Sequence, residues 1–265
     1  MTFMSLQSPV ELWKGRFGRE WLPAEGHIPR HRHLNAFATV VVSGCVEQIC
    51  YAGRMVVRSG ELIVHPTLDT HADNLRSNGA DILRLPWPIE QGLGGTHRLS
   101  DADAIIRTAE TNVTHAARLA FAEVARHGVE RAPQHDWPDM LAEAMTGGHL
   151  DSVAGWAASQ GLARETVSRG FRKAFGVSPV AFRAELRARA AWFKSVFTTD
   201  RFADIAAEVG FADQAHMTRA VRALTGSPPG YWRRRRERLP GYYLTGIVGF
   251  AGLARPALIE GPADD

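Results

Sequence analysis

The chain has 265 residues, enough for two domains that each bury a core of their own. Hydrophobic residues make up 45% and charged residues 22%, which is the balance of a folded globular protein and not of a disordered or fibrous one. Cys45 and Cys50 lie in a strand-like run with side chains expected on opposite faces, which argues against a disulfide framework. The first residues, MTFMSLQSPVELW, have neither the basic nor the apolar part of an export signal. We therefore expect a cytoplasmic protein with no membrane partner.

The charge is unevenly distributed along the chain. The net charge is only +3, but the segment from Asp151 to Arg238 contains 16 basic and 8 acidic residues. The rest of the chain contains 15 basic and 20 acidic residues, so the two parts carry +8 and −5. Such asymmetry indicates a C-terminal part that binds a polyanion, although a solvated basic face would have the same composition.

Strand and turn signals dominate the N-terminal part of the sequence. The run Ala36–Gly44 is rich in β-forming residues and ends in Ser-Gly, and Arg54–Pro66 contains two short strands around Ser59-Gly60. A break rich in proline and glycine follows over Leu85–Gly95. These signals predict a strand-rich N-terminal domain.

A helical region follows this break. One helix is predicted over Leu99–Gly128, where apolar residues recur with a period of about 3.6 and Ser100 or Asp101 can cap the start. A second, short helix is predicted over Asp139–Met145, before two glycines. We therefore expect the boundary with the next domain between residues 130 and 148.

From Leu150 onward the sequence predicts helices with short connections. They are expected from Asp151 or Ser152 to Ser159, over Arg164–Phe175, from Pro179 to Phe197, around Phe202–Val209 and from Asp213 to Leu224. In the longest of them, four apolar residues at helical spacing are expected to form one buried stripe: Leu186, Ala190, Phe193 and Phe197.

The same short pattern occurs twice in this region. The stretch SRGFRKAFGVSP begins at Ser168, and TRAVRALTGSPP begins fifty positions later at Thr218. Each copy belongs to a unit of helix, glycine turn and helix, with an alanine four residues before the turn glycine, at Gly161 and at Gly210. A small residue where two helices cross and a glycine in the turn are typical of a helix-turn-helix motif. Two such units in a basic segment predict binding of double-stranded DNA.

The stretches DIAAEVGFADQAHMTRAVRALTGSPPGYWRR and GFRKAFGVSP resemble the AraC/XylS family of bacterial transcription regulators, over roughly Leu150–Arg234. The resemblance implies two helix-turn-helix subdomains joined by a long helix, set in adjacent major-groove segments. The sequence has no nucleophile–base pattern such as Gly-x-Ser-x-Gly, so we do not expect an enzyme. The sequence departs from the family pattern at Ala215, His216, Met217 and Val221, and these departures predict looser packing in the second unit.

The resemblance also implies which side chains face DNA. By position, the base-facing residues are Glu165, Ser168, Arg169, Gln214, Ala215, Thr218 and Arg219. Arginine can pair with guanine, glutamine with adenine, and glutamate with cytosine. The residues better placed for phosphates are Arg172, Lys173 and Arg222, and the run Arg233–Arg236 adds candidate phosphate contacts.

The N-terminal stretches EGHIPRHRHLNAFATVVVSG and GELIVHPTLDTHAD resemble the two motifs of a cupin, a small β-barrel that many AraC/XylS members use as a sensor. His31 and His33 fall on one face of a strand, and His71 can converge on them. Three histidines can hold a divalent metal, but Asn35, Ala36 and Phe37 occupy the space in which metal cupins have a glutamate. The alternative is that the three histidines line a pocket for a small effector without metal. His27 and His65, which flank the motifs, are interpreted as packing or surface groups.

Together these patterns predict an α+β protein of two domains: an N-terminal cupin-type β-barrel with a helical hairpin, and a C-terminal all-α double helix-turn-helix. The expected segments are residues 1–95 for the sensor, 96–148 for a linker that dimerises or covers the barrel, 149–238 for DNA binding and 239–265 for an apolar tail. The tail segment Tyr242–Ile259 has no family counterpart. The expected partners are promoter DNA, a small effector, a second copy of the chain and, for an activator, RNA polymerase. Two other hypotheses stay open, a metal-dependent cupin enzyme fused to a DNA-binding module and an architectural DNA-binding protein without ligand.

Overall fold

The computed structural model describes residues 10–11, 17–88, 92, 94–130, 136–148 and 150–239. It combines a mainly antiparallel sheet in the N-terminal half with helices in the C-terminal half, so the predicted mixed fold class is confirmed at that level. The tail Tyr242–Ile259 lies outside the described residues. Within the described residues, no helix is both long and apolar enough to span a membrane.

The sheet contains eight strands within the described part of the chain. Neighbouring strands follow the order β1, β3, β7, β4, β6, β8, while β2 also pairs with β7 and β5 with β4. All pairs are antiparallel except β1 with β3. Because no pairing between β1 and β8 closes the described sheet, a closed barrel stays a prediction. The strands are β1 (Val10–Glu11), β2 (Gly18–Leu22), β3 (His27–His33), β4 (Phe37–Cys50), β5 (Gly53–Arg58), β6 (Glu61–His65), β7 (Thr70–Pro86) and β8 (Gly95–Arg98).

The prediction that a strand ends at Gly44 was wrong, because β4 continues through it to Cys50. The Ser-Gly dipeptide produces an irregularity in the strand, and the register with β7 shifts on both sides of Gly44. Gly44 has φ of +78°, and a Cβ atom there would lie 2.3 Å from the carbonyl oxygen of Gly79. Glycine is therefore required at this β-bulge for both conformation and space. Cys45 and Cys50 are both free thiols.

The helix predicted over Leu99–Gly128 is two helices, α1 (Ala102–Thr111) and α2 (Val113–His127). The break falls at Asn112, whose backbone is extended and whose side chain accepts a hydrogen bond from the backbone N–H of His115. Asparagine is a preferred N-cap residue, so Asn112 ends one helix and starts the next. The apolar face of both helices packs on the sheet, where Ile105 and Ala116 share a buried cluster with sheet residues.

The C-terminal half contains helices close to the predicted ones. They are α3 (Trp137–Thr146), α4 (Val153–Ser159), α5 (Arg164–Phe175), α6 (Pro179–Phe197), α7 (Phe202–Glu208), α8 (Gln214–Thr225) and α9 (Pro229–Arg233), followed by a 3-10 turn (Arg236–Arg238). The side chains of Ser152, Ser178 and Asp213 accept hydrogen bonds at the starts of α4, α6 and α8. We call α4 with α5 the first helix pair, and α7 with α8 the second helix pair.

The long helix α6 is buried differently from the prediction. Phe193 is buried, but Leu186 and Ala190 are half-buried and Phe197 is 41% exposed, so the four residues do not form one buried stripe. The reason is that α6 contacts other elements on several sides, including α3, α5, α7 and α8. It also buries two charged residues, Glu185 and Arg189.

Candidate functional site

The two helix pairs repeat the same local design. Helix α5 and helix α8 each have twelve residues, and Gln214 stands fifty positions after Arg164. Each ends at a glycine in the left-handed conformation, with φ of +74° at Gly176 and +80° at Gly226. Only glycine adopts this conformation readily, so both helices end at equivalent positions.

The turns inside the pairs are also equivalent. Gly161 and Gly210 have positive φ, and the residue after each glycine donates its N–H to the carbonyl of an alanine on the preceding helix, at 2.9 and 2.8 Å. These alanines, Ala157 and Ala206, are buried where the helices cross. The two helix pairs therefore have the same turn geometry, with a small residue four positions before the turn glycine, as the sequence predicts.

Each pair has its own apolar core. In the first pair Val167, Phe171 and Phe175 are buried. In the second pair Met217 and Val221 are fully buried, and they pack with residues of α6 and α7. Met217 and Val221, two of the positions that depart from the AraC/XylS pattern, are therefore core residues of the second pair.

The predicted DNA-facing residues lie on the outer faces of α5 and α8. Ser168 and Thr218 are half-buried at equivalent positions, and the others are exposed: Glu165, Arg169, Arg172, Lys173, Gln214, Ala215, Arg219 and Arg222. The sequence analysis did not include Arg164, which is exposed and stands at the position equivalent to Gln214. It named His216 only as a departure from the AraC/XylS pattern, although the His216 side chain is exposed next to Ala215. The fifty-residue register, extended to the starts of both helices, would have found them.

Two residues of the run Arg233–Arg236 make contacts within the fold. The guanidinium of Arg233 donates to the carbonyls of Ser195 at 2.7 Å and Asp200 at 2.8 Å, and it lies over the ring of Phe202. Arg235 donates to the hydroxyl of Tyr231. The guanidinium of Arg233 is therefore engaged within the fold, whereas Arg235 is exposed, and phosphate contacts by this run stay a prediction.

The structure brings the three predicted histidines together in the sheet and adds a fourth. The ring centroids of His31 and His33 are 4.7 Å apart, and the ring of His71 lies 4.4 Å from His31 and 5.5 Å from His33. His65 lies 4.8 Å from His71. We call these four residues the histidine cluster. His27 is exposed and bonds to Asn74, as expected for a surface group.

His65 occupies a supporting place in the histidine cluster. One ring nitrogen accepts from the amide of Gln48, and the other lies 3.2 Å from the hydroxyl of Thr39. Its ring stacks on Phe37 at 4.1 Å. Burial, followed by the charges of neighbouring histidines, lowers the pKa of His65 well below its usual value. The prediction of a packing role for His65 agrees with these contacts.

Two histidines of the cluster keep a nitrogen available for a ligand. His31 Nδ1 lies 2.8 Å from the carbonyl oxygen of Pro29, which can only accept, so Nδ1 donates and the neutral ring has its lone pair on Nε2. His71 Nδ1 lies 4.0 Å from Asp69 Oδ2. Neither His71 Nδ1 nor Asp69 Oδ1, both buried, has a hydrogen-bond partner among the residues that the structure describes.

The electrostatics of the cluster favour neutral groups. Burial, and then the neighbouring histidines, lower the pKa of His71 well below its usual value, so its imidazole is neutral at pH 7. Burial raises the pKa of Asp69 to about 7, although Arg189 opposes this effect. A neutral imidazole is the form that binds metals or accepts a hydrogen bond from a ligand.

A family profile described as a helix-turn-helix domain matches residues 156–235, which contain most of α4 and all of α5 to α9. No curated protein matches the chain.

Three solved structures resemble parts of the chain. ToxT from Vibrio cholerae O395 is 9% identical and covers 85% of this chain and 98% of its own, with a TM-score of 0.37. The DNA-binding domain of AdpA, in complex with a target DNA, is 25% identical over 40% of this chain and 98% of its own, with a TM-score of 0.36. A probable AraC family transcriptional regulator from Rhodopseudomonas palustris CGA009 is 21% identical and covers 36% of this chain and 93% of its own, with a TM-score of 0.33.

TM-scores this low do not establish a common arrangement of the whole chain, so the assignment depends on the family match. That match covers both helix pairs and the helix between them. Residues 156–235 are therefore a helix-turn-helix domain.

Proposed function

We propose that this protein is a transcription regulator that binds two adjacent major-groove segments of a promoter with α5 and α8. The observation that supports this most strongly is the repeat of the helix pair in one register inside the matched domain. One helix contacts few base edges, and two helices on the same face of the duplex give the specificity that a single site in a genome requires.

Individual side chains receive roles by their position on these helices. Arg169 and Arg219 stand at equivalent places, exposed and near the middle of α5 and α8, where an arginine can donate two hydrogen bonds to guanine. Arg172 and Arg222, one turn later, are placed for phosphates, which fix orientation without selecting sequence. Glu165, Ser168, Gln214, Ala215 and Thr218 complete the proposed base-facing set.

We further propose that the N-terminal half is a cupin-type sensor whose effector binds against His31, His33 and His71. The supporting observations are the convergence of these rings and the buried polar atoms of His71 and Asp69 that lack a hydrogen-bond partner in the described structure. Buried polar groups are nearly always paired, so these atoms point to a ligand that supplies the missing bonds.

A divalent metal ion is a second candidate for this effector. The three histidines are donors that Zn²⁺ and related ions use, and a carboxylate oxygen of Asp69 lies 4.0 Å from Nδ1 of His71. The bond from His31 Nδ1 to the Pro29 carbonyl orients that ring with Nε2 available to a ligand in the neutral form. Bound there, the ion would supply a fixed positive charge, held by His31, His33 and His71. Stoichiometric zinc in the purified protein, lost when all three are changed to alanine, would establish it. Oxygen uptake by the iron-loaded protein would favour the enzyme hypothesis instead.

The remaining proposals concern assembly. We propose a homodimer formed through the outer faces of α1 and α2, where Leu119 is 39% exposed. If the protein activates transcription, RNA polymerase is its further partner.

Arg169→Ala and Arg219→Ala test the proposed function. On a duplex selected from a random library, each change should weaken binding by about 1–3 kcal/mol, because a bidentate contact to a base is lost. On random duplexes the loss should be much smaller. Arg58→Ala is the matched control, since Arg58 is exposed at the end of β5, outside the proposed DNA-binding and dimer surfaces. Equal losses on selected and random duplexes would assign both arginines to phosphates and contradict the proposed base contacts.

A further inference from the structure

Strand β3 has two chemically different faces. His31 and His33 point into the histidine cluster, whereas the alternate residues Arg30 and Arg32 point to helix α6. Alternation of side chains along a strand produces this arrangement directly. A register shift between Ile28 and His31 marks an irregularity just before these residues. The same four residues therefore contact both the candidate sensor site and the DNA-binding half.

The arginine face of β3 binds a buried carboxylate on α6. Glu185 is 2% exposed and accepts from Arg30 at 2.5 Å, from the hydroxyl of Tyr51 at 3.0 Å and from Arg32 at 3.5 Å. Two guanidinium groups and a hydroxyl therefore pair with the charge of Glu185. Removal of any one of them would leave this charge partly unpaired in a low-dielectric site. We call Arg30, Arg32, Tyr51, Glu185 and Arg189 the sheet–helix junction.

A second histidine-bearing segment reaches α6 in the same way. Between His65 and His71, the carbonyl of Thr67 accepts from Arg189 at 2.8 Å, and Arg189 also donates to the carbonyl of Gly92 at 2.8 Å. Both segments that supply histidines to the cluster therefore contact α6 through residues a few positions away.

Residues in the loops after β3, β4 and β6 also complete the cores of both helix pairs. Tyr51 packs in the cluster of the first pair, with its ring 5.3 Å from Phe182 of α6. Leu34 and Leu68 lie in the cluster of the second pair. Neither core is closed by helices alone, so the N-terminal half contacts each pair separately.

The sheet contacts the ends of α5 and α8 that lie away from the proposed base-facing residues. Arg32 donates to the carbonyl of Leu224, near the end of α8. A Cβ atom on Gly176, just after α5, would lie 3.6 Å from Cδ of Arg30. Residues in the first halves of both helices, such as Arg169 and Arg219, stay exposed. The observed contact between the halves is therefore compatible with DNA binding.

We propose that the N-terminal sheet, and not α6 alone, sets the relative position of α5 and α8, and that β3 transmits changes in the histidine cluster to the sheet–helix junction. This proposal rests on the proposed function, because it concerns how the same two helices are positioned. By linkage, coupling between two sites acts in both directions, so DNA bound at α5 and α8 changes the histidine cluster.

The test uses nuclear magnetic resonance of the full chain labelled with ¹⁵N in its histidines, with and without a duplex selected from a random library. His216 on α8 reports DNA binding itself, and His115, exposed on α2, reports non-specific effects. In the wild type, the duplex should shift the imidazole signals of His216 and also those of His31, His33 and His71, and leave that of His115 unchanged.

Glu185→Gln keeps the size of the side chain and removes its charge. We expect it to abolish the shifts in the histidine cluster and to weaken binding of the selected duplex about tenfold, while binding of a random duplex changes less than about twofold. Glu208→Gln is the matched control, because Glu208 pairs with Lys194 of the same helix α6 at an exposed site. Should Glu185→Gln unfold the protein, Arg30→Gln removes one ion pair of the same junction and should give the same result.

The possible outcomes separate the two proposals. A shift of His216 without any shift of the histidine cluster in the wild type would overturn the inference and leave the proposed function intact. Identical behaviour of Glu185→Gln and Glu208→Gln would also overturn it. No shift of His216 with any selected duplex would contradict the proposed function itself.

Discussion

Removal of Tyr51 should destabilise both halves of the protein together. Tyr51 lies between β4 and β5, is 2% exposed, and belongs to the buried cluster of the first helix pair. Its hydroxyl lies 3.0 Å from the Thr70 hydroxyl and donates to Glu185 at 3.0 Å. One side chain thus contributes packing to the C-terminal half and hydrogen bonds to both halves.

The expected magnitudes follow from these contacts. Tyr51→Phe removes a hydrogen bond to a buried carboxylate and one to a neutral hydroxyl, and should lower the free energy of unfolding by about 1.5–3 kcal/mol. Tyr51→Ala also empties an aromatic volume in the core, and should cost about 3–5 kcal/mol. Tyr231→Phe is the matched control, because Tyr231 is half-buried on α9 and its hydroxyl accepts from Arg235 near the surface; its change should stay within about 0.5 kcal/mol.

Urea denaturation gives the free energies, and hydrogen exchange followed by mass spectrometry shows where protection is lost. Because the cores of both helix pairs contain residues of the N-terminal half, we expect one unfolding transition and a parallel loss of protection in β4 and α5. Two separate transitions, with α5 as protected in Tyr51→Ala as in the wild type, would refute the reasoning that the halves share their cores.

Two further predictions concern single sites. Because the pKa of buried Asp69 is raised to about 7, the folded protein keeps a proton that the unfolded chain loses near pH 4, and stability from this group falls as pH rises between the two values. We therefore expect the free energy of unfolding of Asp69→Asn, relative to the wild type, to increase from pH 5 to pH 7 by up to about 1.4 kcal/mol per pH unit and then to level off. Urea denaturation of the metal-free proteins measures this difference. A difference between the two proteins that does not change with pH would contradict the raised pKa. Gly170→Ala should destabilise by about 1–3 kcal/mol despite its helix propensity, because the added Cβ would lie 2.4 Å from a ring carbon of Trp137. Trp137→Leu in the same chain should restore stability, and a destabilisation that persists in the double variant would exclude this contact as the cause.

The sequence was sufficient for the helix pairs because their signals are local. Gly161, Gly210 and the N-cap residues Ser152 and Asp213 act on neighbouring backbone groups, and each can be recognised within a few positions. The break at Asn112 is also local, but the regular apolar period across it predicted one continuous helix. At this position the capping residue Asn112, and not the apolar period, determines where one helix ends and the next begins.

The sheet–helix junction could not be predicted, because its partners are far apart in the sequence. Glu185 and Arg189 resemble the solvated face of a helix, and Arg30 lies 155 positions before Glu185. The histidine cluster was predicted in part, since the spacing of His31 and His33 places both on one face of a strand. The buried carboxylate beside His71 is Asp69, two residues before it, and not a residue following His33.

The alternation of histidine and arginine along β3 has a consequence for altering what the protein responds to. Because His31 and His33 lie on the opposite face from Arg30 and Arg32, the two histidine positions can be varied in a library without changing any side chain that contacts α6. Substitutions keep this separation, whereas a one-residue insertion or deletion in β3 would exchange the faces and bring imidazoles against Glu185. A library for a biosensor with a new input should therefore randomise these positions at constant strand length.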